Sequence, residues 1–331
     1  MKQIRKINKL SIIIPVYYNE ENLYPLYDSL NEVVFQHITY DYEVLLINDG
    51  SKDKSWEIIE DLSVKDPHIR GINLSRNFGS HAAILCGLSN SSGDCAVVKA
   101  ADLQEPTELI LQMVNEWEYG NNVVLATRDG RDENLSTTLF ANLYYSIVKK
   151  FALPSMPKSG FDVYLVDKKV IDVLDKLDER NSALTCQILW SGFKTKEIGY
   201  LRQARTAGKS RWTLHKKIRL VMDTLFSFSS VPITIVSTVG IISFIGALIW
   251  AVIEVVLKLM NIINVEGWTT LFIFNLGSFG ITMLTLGILG EYLWRTFDAS
   301  RNRPPYIIED KTNNKNLTEE KTEAFNNVSD L

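Results

Sequence analysis

The sequence predicts an α/β domain with a mostly parallel sheet flanked by helices, followed by an amphipathic juxtamembrane helix and two transmembrane helices. Three observations predict it. Through the first half of the 331 residues, short apolar runs alternate with segments of helical period, as strands and crossover helices do in a parallel sheet. Polar clusters follow several of the apolar runs, at the strand ends where such sheets bind ligands. Two stretches, Thr224–Ile253 and Gly267–Gly290, hold no charged residue. Each can cross about 30 Å of hydrocarbon at about 1.5 Å per residue.

In chain order, Ser11–Val16 reads as a buried strand and Asn19–Phe35 as a helix with Asn19 as its cap. Tyr42–Ile47 is a second strand, ending in Asn48-Asp49-Gly50-Ser51. A helix with Trp56, Ile58, Ile59 and Leu62 on its apolar side follows. Gly71–Leu74 and Cys95–Val98 read as strands separated by a helix around Ala82–Leu88, and Val123–Ala126 is another strand. The polar clusters are Tyr17–Glu20, Asn48–Ser51, Asp102–Glu105 and Arg128–Arg131.

Hydrophobic residues make up 46% and charged residues 22%, which excludes a disordered or fibrous chain, and the net charge of −4 argues against a nucleic-acid binder. The basic start is followed by an apolar run that ends at Pro15, too short for a signal-peptide core, so the bulk of the chain is expected in the cytoplasm. Cys86, Cys95 and Cys186 show no metal-ligand spacing and read as small buried apolar residues of a reduced compartment. From Lys194 to Arg219 nine Lys or Arg face one acid, Glu197. Arg295, Arg301 and Arg303 follow the second uncharged stretch, while little positive charge lies between the two. The positive-inside rule then gives a hairpin with both ends in the cytoplasm of a multi-pass plasma-membrane protein. The expected layout is a domain over 1–211, an amphipathic helix over 212–229, the hairpin over 230–297 and a partly disordered polar tail over 298–331. Gly240, Gly246, Gly277, Gly280 and Gly287 permit close helix approach, and a homo-oligomer, a tetramer, is an expectation.

Asp49, at a strand end, can accept hydrogen bonds from a ribose or a base, although Asp-Gly also marks ordinary turns. Asp102 and Gln104, two apart, can both offer oxygen to Mg²⁺ or Mn²⁺, while Glu105-Pro106-Thr107 also suits a helix start.

Four motifs occur in order: Ser11–Tyr17 with Pro15, Asn48-Asp49-Gly50-Ser51, Arg76-Asn77-Phe78-Gly79, and Ala101-Asp102-Leu103-Gln104-Glu105-Pro106. They resemble the family-two glycosyltransferases of GT-A (Rossmann-like) fold. More narrowly, they resemble the polyprenyl-phosphate group that includes dolichol-phosphate mannose synthase and bactoprenol glucosyltransferases. Gly160-Phe161-Asp162, Trp190–Phe193, Arg202 to Trp212, Gly290-Glu291-Tyr292 and Arg303-Pro304 extend the resemblance over roughly residues 9 to 308. It implies that Pro15, Tyr17, Glu20 and Asp49 line a nucleoside pocket with Arg76 nearby. Asp102 and Gln104 would hold the metal and diphosphate, and Asp162 would sit by the sugar and the attacking oxygen. Arg128, Arg131, Arg202, Arg205, Ser210 and Arg211 would bind phosphate oxygens of donor or acceptor, which suits the paired donors of a guanidinium. Two departures stand out. Ala100 occupies the first position of the usual Asp-x-Asp, and Asn48 stands where Asp is usual.

The implied reaction is inverting transfer of a hexose, glucose by preference, from a UDP-sugar to undecaprenyl phosphate for cell-envelope glycan modification. Ala100 motivates an alternative, a non-catalytic membrane scaffold that binds nucleotide-sugar. A processive polysaccharide synthase is a second alternative, but Gln187–Trp190 only partly matches its Gln-x-x-Arg-Trp motif. No GxGxxG follows a strand, which disfavours a dinucleotide-dependent oxidoreductase.

Overall fold

The computed structural model describes residues 5–128, 146, 148–150, 152–157, 160–177, 183–201, 223–224, 226–229, 231–260 and 267–312. The chain divides into two compact units, Met1–Lys217 with Pro304–Leu331, and Ile218–Arg303.

Among the described residues the first unit holds an eight-stranded sheet of order β7-β5-β6-β4-β1-β2-β3-β8. Strands β1 (Lys9–Val16), β2 (Asp41–Asn48), β3 (Ile69–Leu74) and β4 (Cys95–Val98) are mutually parallel in the order β4-β1-β2-β3. β1 is central, and its Ile12-Ile13-Ile14 run is buried on both faces, as a strand covered by helices on each side requires. Leu10, Ile12, Ile14 and Val16 join one apolar cluster with residues of α1 (Leu23–Val33), α2 (Ser55–Lys65) and α4 (Leu109–Glu118). α1 contributes Leu23, Leu26 and Leu30, and α4 contributes Ile110, Met113, Val114 and Trp117, the spacing of a helix with one buried stripe. Ile13 meets α3 (Ser80–Ser89) on the opposite face. There a Cβ on Gly87 would lie 2.2 Å from Ile13 Cγ2, so only glycine lets α3 approach this closely.

The sheet departs from a simple parallel array. β6 (Phe161–Asp167) runs antiparallel between β4 and β5 (Val123–Arg128), and β7 (Thr195–Tyr200) is parallel to β5. The two short helices α5 (Lys168–Leu174) and α6 (Leu184–Trp190) connect β6 to β7, and Asp167 caps α5 by accepting the Lys169 N–H. β8 (Ile308–Lys311) adds antiparallel to β3. Residues 309–312 belong to the segment read as a partly disordered tail. Their backbone donors and acceptors find partners on the open edge of β3, and Gly71 N–H donates to Thr312 Oγ1 at 2.7 Å. All three cysteines are buried, as their reading as small apolar core residues expects.

At the amino end of the sheet Glu43 is buried and accepts from the Ser11 hydroxyl (2.7 Å), the Ser92 N–H (2.6 Å) and Arg70 (2.9 Å). Burial pushes its carboxyl upward, but these bonds and the Lys9 charge outweigh it and hold the group below its ordinary value of 4.5.

In the second unit, α7 (Val231–Leu259) and α8 (Trp268–Ser300) pack against each other. Ser229 Oγ accepts the Val231 N–H, and Pro232 occupies the first turn, where its missing N–H costs nothing. Among the described residues one segment, Val231–Trp250 in α7, is long and apolar enough to cross a membrane by length and composition. Its Ile241, Ile242, Phe244, Ile249 and Trp250 are exposed. The second expected span lies within α8, and the expected amphipathic helix over 212–229 falls largely outside the described residues. Arg295 of α8 pairs with Asp223 (2.7 Å) and Glu291 (2.9 Å), tying the segment before α7 to α8.

Replacing Glu43 with Gln is expected to destabilise the protein by about 1–3 kcal/mol, read as a lower Tm at neutral pH. The folded-state pKa lies below the unfolded one. The contribution is therefore complete above about pH 4.5 and is lost as pH falls through the folded value. The Tm gap between wild type and Glu43→Gln should close in acid.

Candidate functional site

Strand register brings the polar loops to one edge. Val16 pairs with Asn48 and Asn48 with Asn73, so β1, β2 and β3 end level, and Ile13 pairs with Val98 near the end of β4. β6 runs the other way, so its first residues lie at that same edge, with Phe161 opposite Thr127 near the end of β5. Pro15, Tyr17 and Glu20, then Asp49, Arg76, Asp102, Gln104, Arg128 and Asp162, all belong to this edge. The predicted residues Arg131, Arg202, Arg205, Ser210 and Arg211 lie outside the described residues.

Hydrogen bonds to backbone amides lock three of the loops together. The Asp49 carboxylate accepts the Phe78 N–H at 2.7 Å and the Gly79 N–H at 3.0 Å, while Asn77 Nδ2 donates to the Asp49 carbonyl at 3.3 Å. Burial pushes the Asp49 carboxyl above its ordinary value, opposed by these two amides and the Arg76 charge. Gly50 has φ +66°, and a Cβ there would lie 2.5 Å from the Arg76 carbonyl carbon. Glycine therefore satisfies both the left-handed turn and the contact between loops. The Arg76 guanidinium stacks 4.1 Å from the Phe78 ring centroid.

The β1–α1 loop is held to the start of α2. Ser51 Oγ accepts the Tyr18 N–H (3.0 Å), Ser55 Oγ accepts the Asn19 N–H (3.1 Å), and Glu20 Oε2 accepts the Lys54 N–H (2.9 Å). Tyr18 is thereby kept at φ 55°, unusual for an aromatic residue, and its ring meets that of Tyr17 edge to face with centroids 4.7 Å apart. Asn48 is buried and donates to Asn73 Oδ1 at 2.7 Å, so its side chain faces along the sheet.

The loop after β4 turns at Leu103, which has φ 57°, and Asp102 Oδ1 accepts the Gln104 N–H at 3.4 Å. Asp102 and Gln104 are both half-buried. Among the described residues no group of three or more His, Cys, Asp or Glu forms a ready-made metal cluster. At the end of β5, Arg128 makes an ion pair with Asp162. The arginine expected at phosphate and the carboxylate expected beside the sugar are thus brought together. Asp162 is 51% exposed and Arg128 15% in their side chains, which leaves the carboxylate open to solvent.

Sequence reasoning gave roles to Arg76 and Asp49 but none to Phe78, Gly79, Ser51 or Ser55, whose backbone and hydroxyl groups join the loops. It also passed over Lys99, whose signal was a charged residue closing the apolar run Cys95–Val98.

Residues 11–159 match the family model described as glycosyl transferase family 2. The chain is 37% identical over 300 residues to an uncharacterized glycosyltransferase, YkcC, of Bacillus subtilis, covering 90% of this chain and 93% of that protein. It is 33% identical over 311 residues to the bactoprenol glucosyl transferase of Shigella phage SfV, covering 92% and 99%. Among solved structures, S. aureus TarS in complex with UDP-GlcNAc aligns at 17% identity and a TM-score of 0.46, covering 66% of this chain and 67% of that one. The chain belongs to glycosyl transferase family 2 and is a glycosyltransferase. Within the family its relatives include several proteins named bactoprenol glucosyl transferase.

Gly50→Ala is expected to cost about 2 kcal/mol or more, from a left-handed residue and an unavoidable backbone contact. Thermal unfolding should show it as a lower Tm.

Proposed function

We propose that the protein transfers a hexose, glucose by preference, from a UDP-sugar to a polyprenyl phosphate such as undecaprenyl phosphate. The observation that carries this reading is the extent of the likeness to proteins named bactoprenol glucosyl transferase. It runs over 92% of the chain, so it takes in the apolar C-terminal helices as well as the sheet. A polyprenyl phosphate keeps its tail in lipid and presents its headgroup at the membrane surface. The proposed anchor is a hairpin of two spans over 230–297, preceded by the amphipathic segment 212–229. The catalytic domain, 1–211, would face the cytoplasm, with the hairpin in the plasma membrane.

The chemistry fits the side chains at the edge. A phosphate monoester has a second pKa of about 6, so the attacking oxygen is already anionic near neutral pH. A strong general base is then unnecessary, and positioning and charge neutralisation remain. The phosphate oxygen bonds to the anomeric carbon as the bond from that carbon to the diphosphate breaks, and UDP departs. A single displacement inverts the centre, so an α-linked donor yields a β-linked lipid phosphosugar. Asp162, held by Arg128, orients the reactants at the anomeric carbon or acts as an auxiliary base. Pro15, Tyr17, Glu20, Asp49 and Arg76 border the nucleoside site. Arg131, Arg202, Arg205, Ser210 and Arg211 are assigned to phosphate oxygens of donor or acceptor.

Asp102 and Gln104 fit a hard divalent cation. They offer oxygen donors two residues apart on one turn, both half-buried. Mg²⁺ is commonly held by one or two carboxylates plus substrate phosphates and water, so Ala100 need not prevent binding. Bound there, Mg²⁺ or Mn²⁺ would neutralise the leaving diphosphate.

The test is a transfer assay in detergent with undecaprenyl phosphate and a panel of labelled UDP- and GDP-sugars. A labelled lipid is expected from a UDP-hexose, lost in EDTA and reduced at least a hundredfold in Asp102→Ala and in Asp162→Asn. Retained UDP binding with no lipid product from any donor would instead favour a non-catalytic nucleotide-sugar scaffold.

A further inference from the structure

Lys99 has no part in the reaction as described, yet its placement is unusual. It follows the last residue of β4, its backbone N–H donates to the Ile13 carbonyl at 3.0 Å, and it is 1% exposed. Few lysines are buried so completely without a partner, because an ammonium removed from water is costly. Its Nζ donates to the main-chain oxygen of Glu105 at 2.5 Å. The side chain therefore bridges residues 99 and 105 and closes the loop that carries Asp102 and Gln104. Glu105 is itself 2% exposed, and the negative charges of Glu105, Asp102 and Glu108 all favour the charged lysine. Burial works the other way and pushes the Lys99 pKa down.

The closed loop holds a strained residue, Leu103 at φ 57°, between the two oxygen-bearing side chains. Such a conformation persists when its surroundings over-determine it. One end of the loop is fixed by the sheet and the other by the lysine. Residues 100–104 contain a single carboxylate, Asp102. A cation site with so few charged ligands gains more from fixed geometry than from charge, since ordering the loop on binding would subtract from affinity.

We propose that Lys99 is a positioning residue for the metal- and diphosphate-binding loop, fixing the Asp102–Gln104 turn from beneath through the Glu105 carbonyl. The proposal rests on the assignment of that loop to metal and diphosphate. Lys99 does not touch the reactants. It keeps the Asp102 and Gln104 oxygens arranged for one cation before donor arrives.

The experiment uses the full chain in detergent with Lys99→Met, Lys99→Arg and the double variant Lys99→Met/Glu105→Gln. The last removes both buried charges together, so that no carboxylate is left buried opposite an apolar side chain. Mn²⁺ binding in the presence of UDP is read directly by electron paramagnetic resonance, beside UDP binding, Tm and transfer rate. Lys99→Met and the double variant are expected to bind Mn²⁺ at least tenfold more weakly, with kcat reduced at saturating donor. Lys99→Arg, which keeps the charge and donors, is expected to recover part of both. Wild-type Mn²⁺ affinity in every folded variant would overturn the proposal. Tighter binding in Lys99→Met would also overturn it, since the lysine would then compete with the cation for Asp102. A wild-type protein that binds no Mn²⁺ with UDP and transfers no sugar would sink the functional reading itself. Wild-type binding with unaltered variants would sink only the role of Lys99.

Discussion

The register of the β4-β1-β2-β3 ladder is the constraint on which the site depends. Parallel strands in register end together, and each must hand the chain to a loop before its crossover helix. Because Val16, Asn48 and Asn73 are aligned, the loops that follow are side by side without further instruction. The run of buried apolar residues in β1 sets that alignment: slipping by one residue would turn Ile12 and Ile14 out of the cluster they share with α1 and α4. The antiparallel β6 solves a different problem. A strand running with its neighbours would carry Phe161 and Asp162 at the far end of the sheet. Running against them, it delivers Asp162 to the end of β5, where Arg128 meets it.

Register alone would leave flexible loops, and the side chains supply the rest. Asp49, Glu20, Ser51 and Ser55 each accept a hydrogen bond from a backbone amide in another loop or at a helix start. Such bonds fix main-chain position and hold the loops in a set order. Two residues expected to touch a nucleoside, Glu20 and Asp49, therefore also serve as struts. Substituting them will mix loop displacement with any lost contact, whereas the half-exposed Asp162 offers a cleaner probe of chemistry.

The parallel half of the sheet was legible because its strands are continuous apolar runs flanked by turn residues. β1 extends two residues earlier than Ser11, and β4 spans Cys95–Val98 as read. β6, β7 and β8 were not read as strands. Thr195–Tyr200 is mostly exposed at the sheet edge and Ile308–Lys311 has two exposed charges, so neither carries the apolar signal of a buried strand. Phe161–Asp167 has that signal, but it stood out as a motif around Asp162 rather than as a strand. Asp102 stood out by residue type and position, whereas Asp162 and Arg128 took their expected roles from the family resemblance. Lys99 was missed because a lysine after an apolar run reads as the point where the chain reaches solvent, and only the geometry shows it buried. The second apolar stretch was read from missing charge, whereas α8 continues through Glu291 and Arg295 to Ser300, and its polar end is used for pairing with Asp223.

The central claim is that the donor is held at the carboxyl edge of the sheet. Hydrogen–deuterium exchange of the full chain, with and without UDP and Mn²⁺, tests it most directly. The account predicts protection confined to Tyr17–Glu20, Asp49–Ser51, Arg76–Gly79, Lys99–Glu105 and the Arg128–Asp162 neighbourhood. The loops of the opposite edge, Asn90–Asp94 and Tyr119–Asn122, should exchange as before. Protection centred on those opposite loops, with none at Asp102, would contradict it.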